Sequence, residues 1–537
     1  MNNERKALEF IVFTDAHHYS KKLGVDTPSY KKYDAGNQKM VKDSGDVIKA
    51  ALAQMAKSDC KNIIFCGDAT CDGDIDSHEE FVSFLMALKK CGKRVFAITS
   101  THDFQDNGIT HKYTGEVREE IKSVKRSDIP ELYKNLGPDE AVSVYNDGLS
   151  YFAELDDTYC VFALNSDKDG NGRSGYSDDM RNWIKETALK ATAEGKKLIA
   201  FSHHPLISPS PFYSLIGKND MMGGHKEIRE LLADCGISLV FTGHSHVHDI
   251  SYIFSENGNV LYDISTSALA GYPGYFRKVT IKDDAVSITS EDITEPVNIE
   301  FNGHNLKEHL YNKFFGTIRL TLQAAAKDIP TFADCAVGIS IPKSTSYKLG
   351  WIIKPIAKIL NKLTVGNIAA WTKKETGLSE FDYIDIRNDK VVDFIIDLVM
   401  HLYEGDAPYN PDTPQYKITV GLMNIIDSIL KTIHLPFSKI LKGYNSPSEL
   451  VIPLLYNSGI CDKTAEFPLY ASKEDVEKIC NNNYNVTVKP SKKGPFIIAA
   501  LVILAIILLP LLPLAAAITL IAYLINRIKY SEEIRGN

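Results

Sequence analysis

Residues 8–18, Leu-Glu-Phe-Ile-Val-Phe-Thr-Asp-Ala-His-His, join an apolar run to an acid and two imidazoles. The run at 8–13 predicts a strand buried on both faces, and Asp15, His17 and His18 stand where it ends. The construction recurs along the chain. The run 62–66 leads into Gly67-Asp68, with Cys71 and Asp72 close behind; 94–99 leads into Ser100-Thr101-His102-Asp103. The run 197–201 leads into Ser202-His203-His204-Pro205, and 238–242 into Gly243-His244-Ser245-His246. In α/β sheets the carboxyl ends of strands line the ligand crevice, so these strand ends are predicted to converge.

Working outward, further strands are predicted at 159–164 and 277–281. Helices are predicted at 45–57, 78–91, 178–194 and 226–235, where apolar residues recur at helical spacing. Ser77 with Glu80 reads as a capping box opening the second of these. Gly92 and Gly195 fall where helix-ending glycines belong. Strand–helix alternation gives an α/β domain over 1–295. Residues 296–490 read as a mostly helical domain, with helical periodicity at 306–326, 348–363, 390–403 and 419–433 and prolines between. No motif there points to a ligand.

Composition narrows the class. The chain has 537 residues, enough for two to four domains at about 100–200 residues each. Hydrophobic content of 44% and charged content of 24% exclude wholesale disorder, collagen and coiled coil. With 60 Lys and Arg against 68 Asp and Glu the net charge is −8, which leaves no broad footprint for nucleic acid. Nine scattered cysteines, never in C-x-x-C, argue against a disulfide framework or zinc ribbon and suit a reducing compartment. No apolar signal-peptide core precedes residue 8, so the folded part is expected in the cytosol. The triplet Asn485-Val486-Thr487 is read as a chance glycosylation match.

Residues 496–525 carry no charge. As one helix, at about 1.5 Å per residue, the run would span about 45 Å, against a bilayer core of about 30 Å. Pro510 and Pro513 break its middle. Two readings stay open for 495–526: a tilted or kinked single span, or a shallow hairpin returning to the cytosolic face. A buried core helix is disfavoured by the length. Lys489, Lys492 and Lys493 before the run balance Arg527, Lys529 and Arg535 in or before the polar tail 527–537, so flanking charge does not set an orientation.

Aspartate and histidine together suit borderline divalent metals such as zinc, manganese or iron. D-x-H and H-x-H are expected to place two ligands on one side of an extended segment, because strand side chains alternate. Each cluster alone is weak, but five in order on strand ends are not. In that order the chain resembles the calcineurin-like metallophosphoesterases, over roughly residues 8–290. The elements that carry the resemblance are Asp15/His17, Gly67-Asp68 with Asp72 nearby, His102-Asp103, His203, and Gly243-His244-Ser245-His246; the stretch Asp263-Ile264-Ser265-Thr266-Ser267 that follows also fits.

The resemblance implies a sandwich of two central β-sheets flanked by helices. It implies that Asp15, His17 and His246 hold one metal, that Asp68 bridges, and that His203 and His244 hold the second. His102 would lie at the scissile phosphate, with Asp103 orienting its ring. Two cations about 3.5–4 Å apart can clamp an in-line displacement and supply metal-bound hydroxide at neutral pH. One residue departs from the family: Thr101 stands where an Asn normally gives its amide oxygen, which predicts a weaker second site with Thr101 at most a weak ligand. His18, His204 and His248 are expected to support or pack rather than coordinate, Asp72 to order its loop, and Cys66 and Cys71 to be buried. The segment 206–224, with Phe212, Tyr213 and Asn219, either overhangs the site or is a plain loop. The function expected is a two-metal phosphoester hydrolase, phosphodiesters first, then lipid-linked phosphates, then phosphoproteins. It is expected to be membrane-attached through 496–525, with its catalytic domain in the cytoplasm. The alternative is a catalytically silent membrane scaffold.

Overall fold

The strand Leu8–Phe13 forms as read and sits inside a six-stranded sheet of a computed structural model. The structure describes residues 6–327, 361–432 and 443–480, with Lys358 and Ser438, apart from 36, 172, 211–212, 214–220, 295–299, 302 and 458 within those spans. In order the first sheet runs Thr464–Pro468, Ala285–Asp292, Tyr275–Lys282, Leu8–Phe13, Asn62–Phe65, Arg94–Ala97. The last three are parallel; the others run antiparallel to their neighbours. A seven-stranded second sheet has Tyr159–Ala163, Lys197–Phe201, Ile237–Thr242 and Val260–Ser265 parallel at its centre, with antiparallel strands at both edges.

Period-two alternation makes the layers. Phe10 and Val12 face the second sheet and pack with Val161, Ile199, Phe201, Phe241 and Tyr262. Ile11 and Phe13 face the other way, onto the helices Ser44–Lys57 and Ile75–Lys90. The outer face of the second sheet is covered by Asp178–Ala193 and His225–Asp234. Strands wrapped on both faces need apolar residues at every position, and so read as continuous runs rather than alternations.

The expected capping box is not there. Helix Ile75–Lys90 begins earlier, capped by Asp74, whose carboxylate accepts from Ser77 N at 2.8 Å. Ser77 lies inside the helix, and its hydroxyl accepts from Ser20 N; Glu80 reaches His18 and Ser20. The S-x-x-E spacing is local, whereas these partners come from another loop, which a local pattern cannot show. Gly92 and Gly195 do follow helices in the left-handed region, at φ 85° and 79°.

A helical region follows, built from Leu306–Lys327, Val365–Thr376, Val391–Glu404 and Pro414–Thr432 around Ile368, Ile395, Ile396 and Met423. The helix Val365–Thr376 was not expected, and most of the helix read at 348–363 lies outside the described residues. The chain then returns to the sandwich: Thr464–Pro468 pairs with Ala285–Asp292. Arg277, with no exposed surface, seals this joint by donating to the carbonyls of Asp462 (2.6 Å), Ser265 (2.8 Å) and Asp249 (3.2 Å). Among the described residues no helix is long and apolar enough to cross a membrane; the run 496–525 and the Asn485 triplet lie outside them.

Candidate metal centre

The strand ends converge, but not as extended segments. Asp15, His17, Asp68, His244 and His246 all adopt left-handed backbone, with φ between 40° and 62°. The period-two explanation of D-x-H and H-x-H is therefore wrong. Each strand breaks into a tight turn, and it is the turns that aim the side chains. Such conformations cost an L-residue about 1–2 kcal/mol each and persist only where neighbours over-determine them. Here they do. Asp15 N donates to Gly67 O (3.0 Å), His17 N to Asp68 O (3.0 Å) and His18 N to Ala69 O (2.8 Å), so the first two loops lock rung by rung. Gly243 is required by close approach: a Cβ there would lie 2.2 Å from Thr14 Oγ1 and 2.4 Å from Asp15 Oδ2.

These turns bring six side chains together. Asp15 Oδ1 lies 3.1 Å from His246 Nε2 and 3.3 Å from His17 Nε2, and the two imidazole nitrogens are 3.1 Å apart. Asp68 Oδ2 lies 3.1 Å from His203 Nε2, 3.9 Å from His17 Nε2 and 4.0 Å from His102 Nε2. Three groups have ligand atoms close enough for one ion each: Asp15, His17 and His246; His17, Asp68 and His102; and Asp68, His203 and His244. Asp68 and His17 are shared between groups, as adjacent cations would require.

The donor set fits metal. Asp15 Oδ1 and His203 Nε2 are sealed from water yet make no hydrogen bond, despite imidazole and carboxylate atoms nearby. Buried polar atoms are rarely left so, and lone pairs converging on one point are what a cation satisfies. One outer nitrogen meets an acceptor, His203 Nδ1 with Cys66 O at 2.9 Å, while His246 Nδ1 lies 3.1 Å from the Gln38 amide nitrogen Nε2. Such support fixes which ring nitrogen faces inward.

The electrostatics agree. Burial alone would raise both carboxyls, but His203 and His246 beside Asp15, and His203 and His102 beside Asp68, outweigh it and hold both well below the usual range. Burial opposes charge on His203 too, yet Asp68 and Asp15 lift its pKa to about 9. His244 is pushed down to about 3, first by burial and then by His203. Two carboxylate charges beyond the reach of water draw in positive charge. A proton on His203 is one answer; a divalent cation is the stronger one.

The flanking residues divide. His102 has 41% of its side chain exposed and forms the open side of the cluster. Its Nδ1 contacts Cys71 O at 2.7 Å. Asp103 does not orient that ring. Its carboxylate accepts from Thr70 N, Ser100 N, Ala69 N and Thr70 Oγ1 at 2.8–3.2 Å, and so holds the Asp68 loop instead. Adjacency in sequence suggested the pair, but the turn Thr101–Asp103 points the two side chains apart. Thr101 is exposed. His18 bonds Glu80, His204 bonds Ser166 and stacks on His244, and His248 bonds Ser290, so none enters a group. Asp72 accepts from Tyr33, and Cys66 and Cys71 are buried. Phe212 and Asn219 lie outside the described residues. Gln38 and Lys39 were missed; nothing in Asn37-Gln38-Lys39-Met40 marks them.

Comparisons with known proteins place this geometry. A search of curated proteins finds no match. Among solved structures, a dimetal phosphatase from Danio rerio has 13% identity, covers 54% of this chain and 97% of its own, and gives a TM-score of 0.39. A purple acid phosphatase from yellow lupin (Lupinus luteus) seeds has 12% identity, with 55% of this chain and 53% of its own covered and a TM-score of 0.35. The family model of the calcineurin-like phosphoesterases matches residues 8–248, the span that runs from the first strand through the last clustered histidine. The strand ends, turns and acid–imidazole groups all lie inside residues 8–248, the span that matches the calcineurin-like phosphoesterase domain.

Proposed function

We propose that the protein is a metal-dependent phosphoester hydrolase that prefers phosphodiesters. The observation that carries this reading is the convergence of three acid–imidazole groups at one point, with partly exposed His102 beside them. In this reading Asp15, His17 and His246 hold one divalent cation, Asp68 bridges, and His203 and His244 hold the second. Manganese, iron and zinc all suit the donors. Bound cations supply charge neutralisation at the phosphoryl group and acidify water. The chain's own part is to place them. Asp68 keeps the sites adjacent, the buried walls keep their charges unscreened, and His102 faces the open side, where it can stabilise phosphoryl oxygens or protonate a leaving alkoxide. A carbonyl only accepts, so Nδ1 donates to Cys71 O, and the inward Nε2 is a donor to phosphoryl oxygens or a leaving alkoxide when His102 is the imidazolium.

The preference for diesters rests on resemblance: the arrangement from D-x-H to G-H-x-H is similar to that of the bacterial phosphodiesterase branch of the family. The uncharged run 496–525 supports attachment to a membrane, and in this reading the catalytic domain, residues 1–295, lies on its cytoplasmic side. The test is turnover of bis(4-nitrophenyl) phosphate and of 4-nitrophenyl phosphate with added manganese, by wild type and by His102→Ala. Metal-dependent turnover of the diester that collapses in the variant is the expected result. No turnover with any divalent metal would favour a silent scaffold.

A further inference from the structure

The loop 37–40 precedes helix Ser44–Lys57 and is fixed at both ends. Lys39 N donates to Asn37 Oδ1 at 3.0 Å, and Met40, buried, donates its N–H to Ala270 O at 2.7 Å. Its two central side chains meet the outer nitrogens of the same acid–imidazole group. Gln38 lies 3.1 Å from His246 Nδ1, and Lys39 Nζ lies 3.2 Å from His17 Nδ1. The two contacts look alike and are chemically different. Gln38 meets His246 Nδ1 with its amide nitrogen Nε2, but a half-turn of the amide brings Oε1 to the same place, where it can accept the Nδ1 proton and leave His246 Nε2 bare to face inward. An ammonium has three donors and no acceptor. When His17 turns a bare Nε2 inward, its proton sits on Nδ1, and Lys39 has nothing with which to receive it.

Lys39 is thus unsuited to supporting His17, yet the fixed loop keeps its charge beside the cluster. Among the described residues, no other lysine or arginine is recorded in hydrogen-bond contact with the six clustered side chains or His102. Lys39 is only partly buried, so its ammonium can turn on a flexible stem toward a solvent-borne acceptor. The acceptors that a phosphoester brings are its non-bridging oxygens. We propose that Lys39 is a substrate-binding residue of this site, its ammonium taking a non-bridging phosphoryl oxygen. This rests on the phosphoesterase reading and adds to it the group that recognises the anion.

The experiment uses the full chain loaded with manganese and compares wild type, Lys39→Met and Lys39→Arg. Three quantities are measured: bound manganese per chain, calorimetric affinity for inorganic phosphate, and KM and kcat for bis(4-nitrophenyl) phosphate. Lys39→Met is expected to keep the wild-type metal content. It should weaken phosphate binding and raise KM by about tenfold, the scale of one hydrogen bond to a charged group. Lys39→Arg, which keeps the charge, should recover most of both. Phosphate binding unchanged in Lys39→Met overturns the assignment. So does loss of manganese in that variant, which would make Lys39 part of the scaffold around His17. Wild type that neither binds phosphate nor turns over either ester overturns the phosphoesterase reading, and Lys39's role with it; wild type that does both beside an unaltered Lys39→Met overturns Lys39 alone.

Discussion

His17 and His246 face each other through their Nε2 atoms at 3.1 Å, and Asp15 Oδ1 lies within 3.3 Å of both. The two rings come from chain segments more than two hundred residues apart, and each sits on a left-handed turn. Two inward ring nitrogens and a buried carboxylate oxygen make a donor set that a cation would satisfy. Asp15→Asn is therefore expected to lower bound metal by one ion per chain, and Asp68→Asn, at the shared position, by two. Activity should fall further than the about 10–100-fold typical of outer-shell changes. Elemental analysis of dialysed protein reads the first effect and steady-state kinetics the second. Saturating manganese should also raise the melting temperature of wild type, by mass action, and raise that of Asp68→Asn much less.

Thr101 gives the opposite expectation. It is exposed, so Thr101→Ala should leave metal content unaltered and turnover within about twofold, the scale of surface changes of up to about 0.5 kcal/mol. A loss of the second ion would show that the threonine hydroxyl reaches it after all.

Asp263 ties the second sheet to the site. It accepts from Leu206 N (2.7 Å) and Ile207 N (2.8 Å), just after His203-His204-Pro205, and from Thr242 Oγ1 (2.6 Å). Burial pushes its carboxyl up to about 6, with those three donors opposing. An unfolded aspartate titrates near about 3.9. Between about pH 4 and pH 6 the folded chain keeps a proton that the unfolded chain gives up. This contribution is thus full below about pH 4 and is lost as pH rises through about 6, at about 1.4 kcal/mol per unit. Asp263→Asn should abolish that component of the slope. Urea midpoints of both proteins at pH 4.5 and pH 7, in chelator, check it; equal slopes would sink the idea.

Arg277 holds the returning C-terminal strand. Arg277→Met would leave the carbonyls of Asp462, Ser265 and Asp249 without this donor inside the joint, at a cost of about 3 kcal/mol or more. The expected signs are a lower melting temperature and early protease cleavage near residues 455–470, with Thr464–Pro468 released from its sheet.

For the tail, the two readings of 496–525 differ in where residue 537 ends. An Asn537→Cys variant in sealed cells should react with a membrane-impermeant maleimide added outside if the run spans once. A hairpin leaves it protected until the membrane is opened.

Much of the sandwich was legible because its signals are local. The continuous runs at 8–13 and 197–201 match their strands end for end, since a strand covered on both faces shows its burial in every residue. The clustered acids and imidazoles were legible for a related reason: charged or polar residues placed just where an apolar run stops have little structural purpose otherwise. What the chain alone could not show was every feature made by partners distant in sequence. Ser77-x-x-Glu80 looked like a cap, but Asp74 caps the helix, and the Ser77 hydroxyl and Glu80 carboxylate go to Ser20 and His18, which a loop crossing brings near. Asp103 looked like a partner of His102 because they are neighbours, whereas its bonds go to the Asp68 loop.

The positions of the central strands along the chain and the identity of the chemical groups were thus determined by sequence, because burial and donor type are properties of single residues. Their aim was decided by tertiary structure. Five of the six clustered side chains depend on left-handed turns, which no isolated L-residue prefers and which interlocking loops alone can hold. The same applies to Lys39: its ammonium acquires a meaning only once folding has carried it to within 3.2 Å of His17.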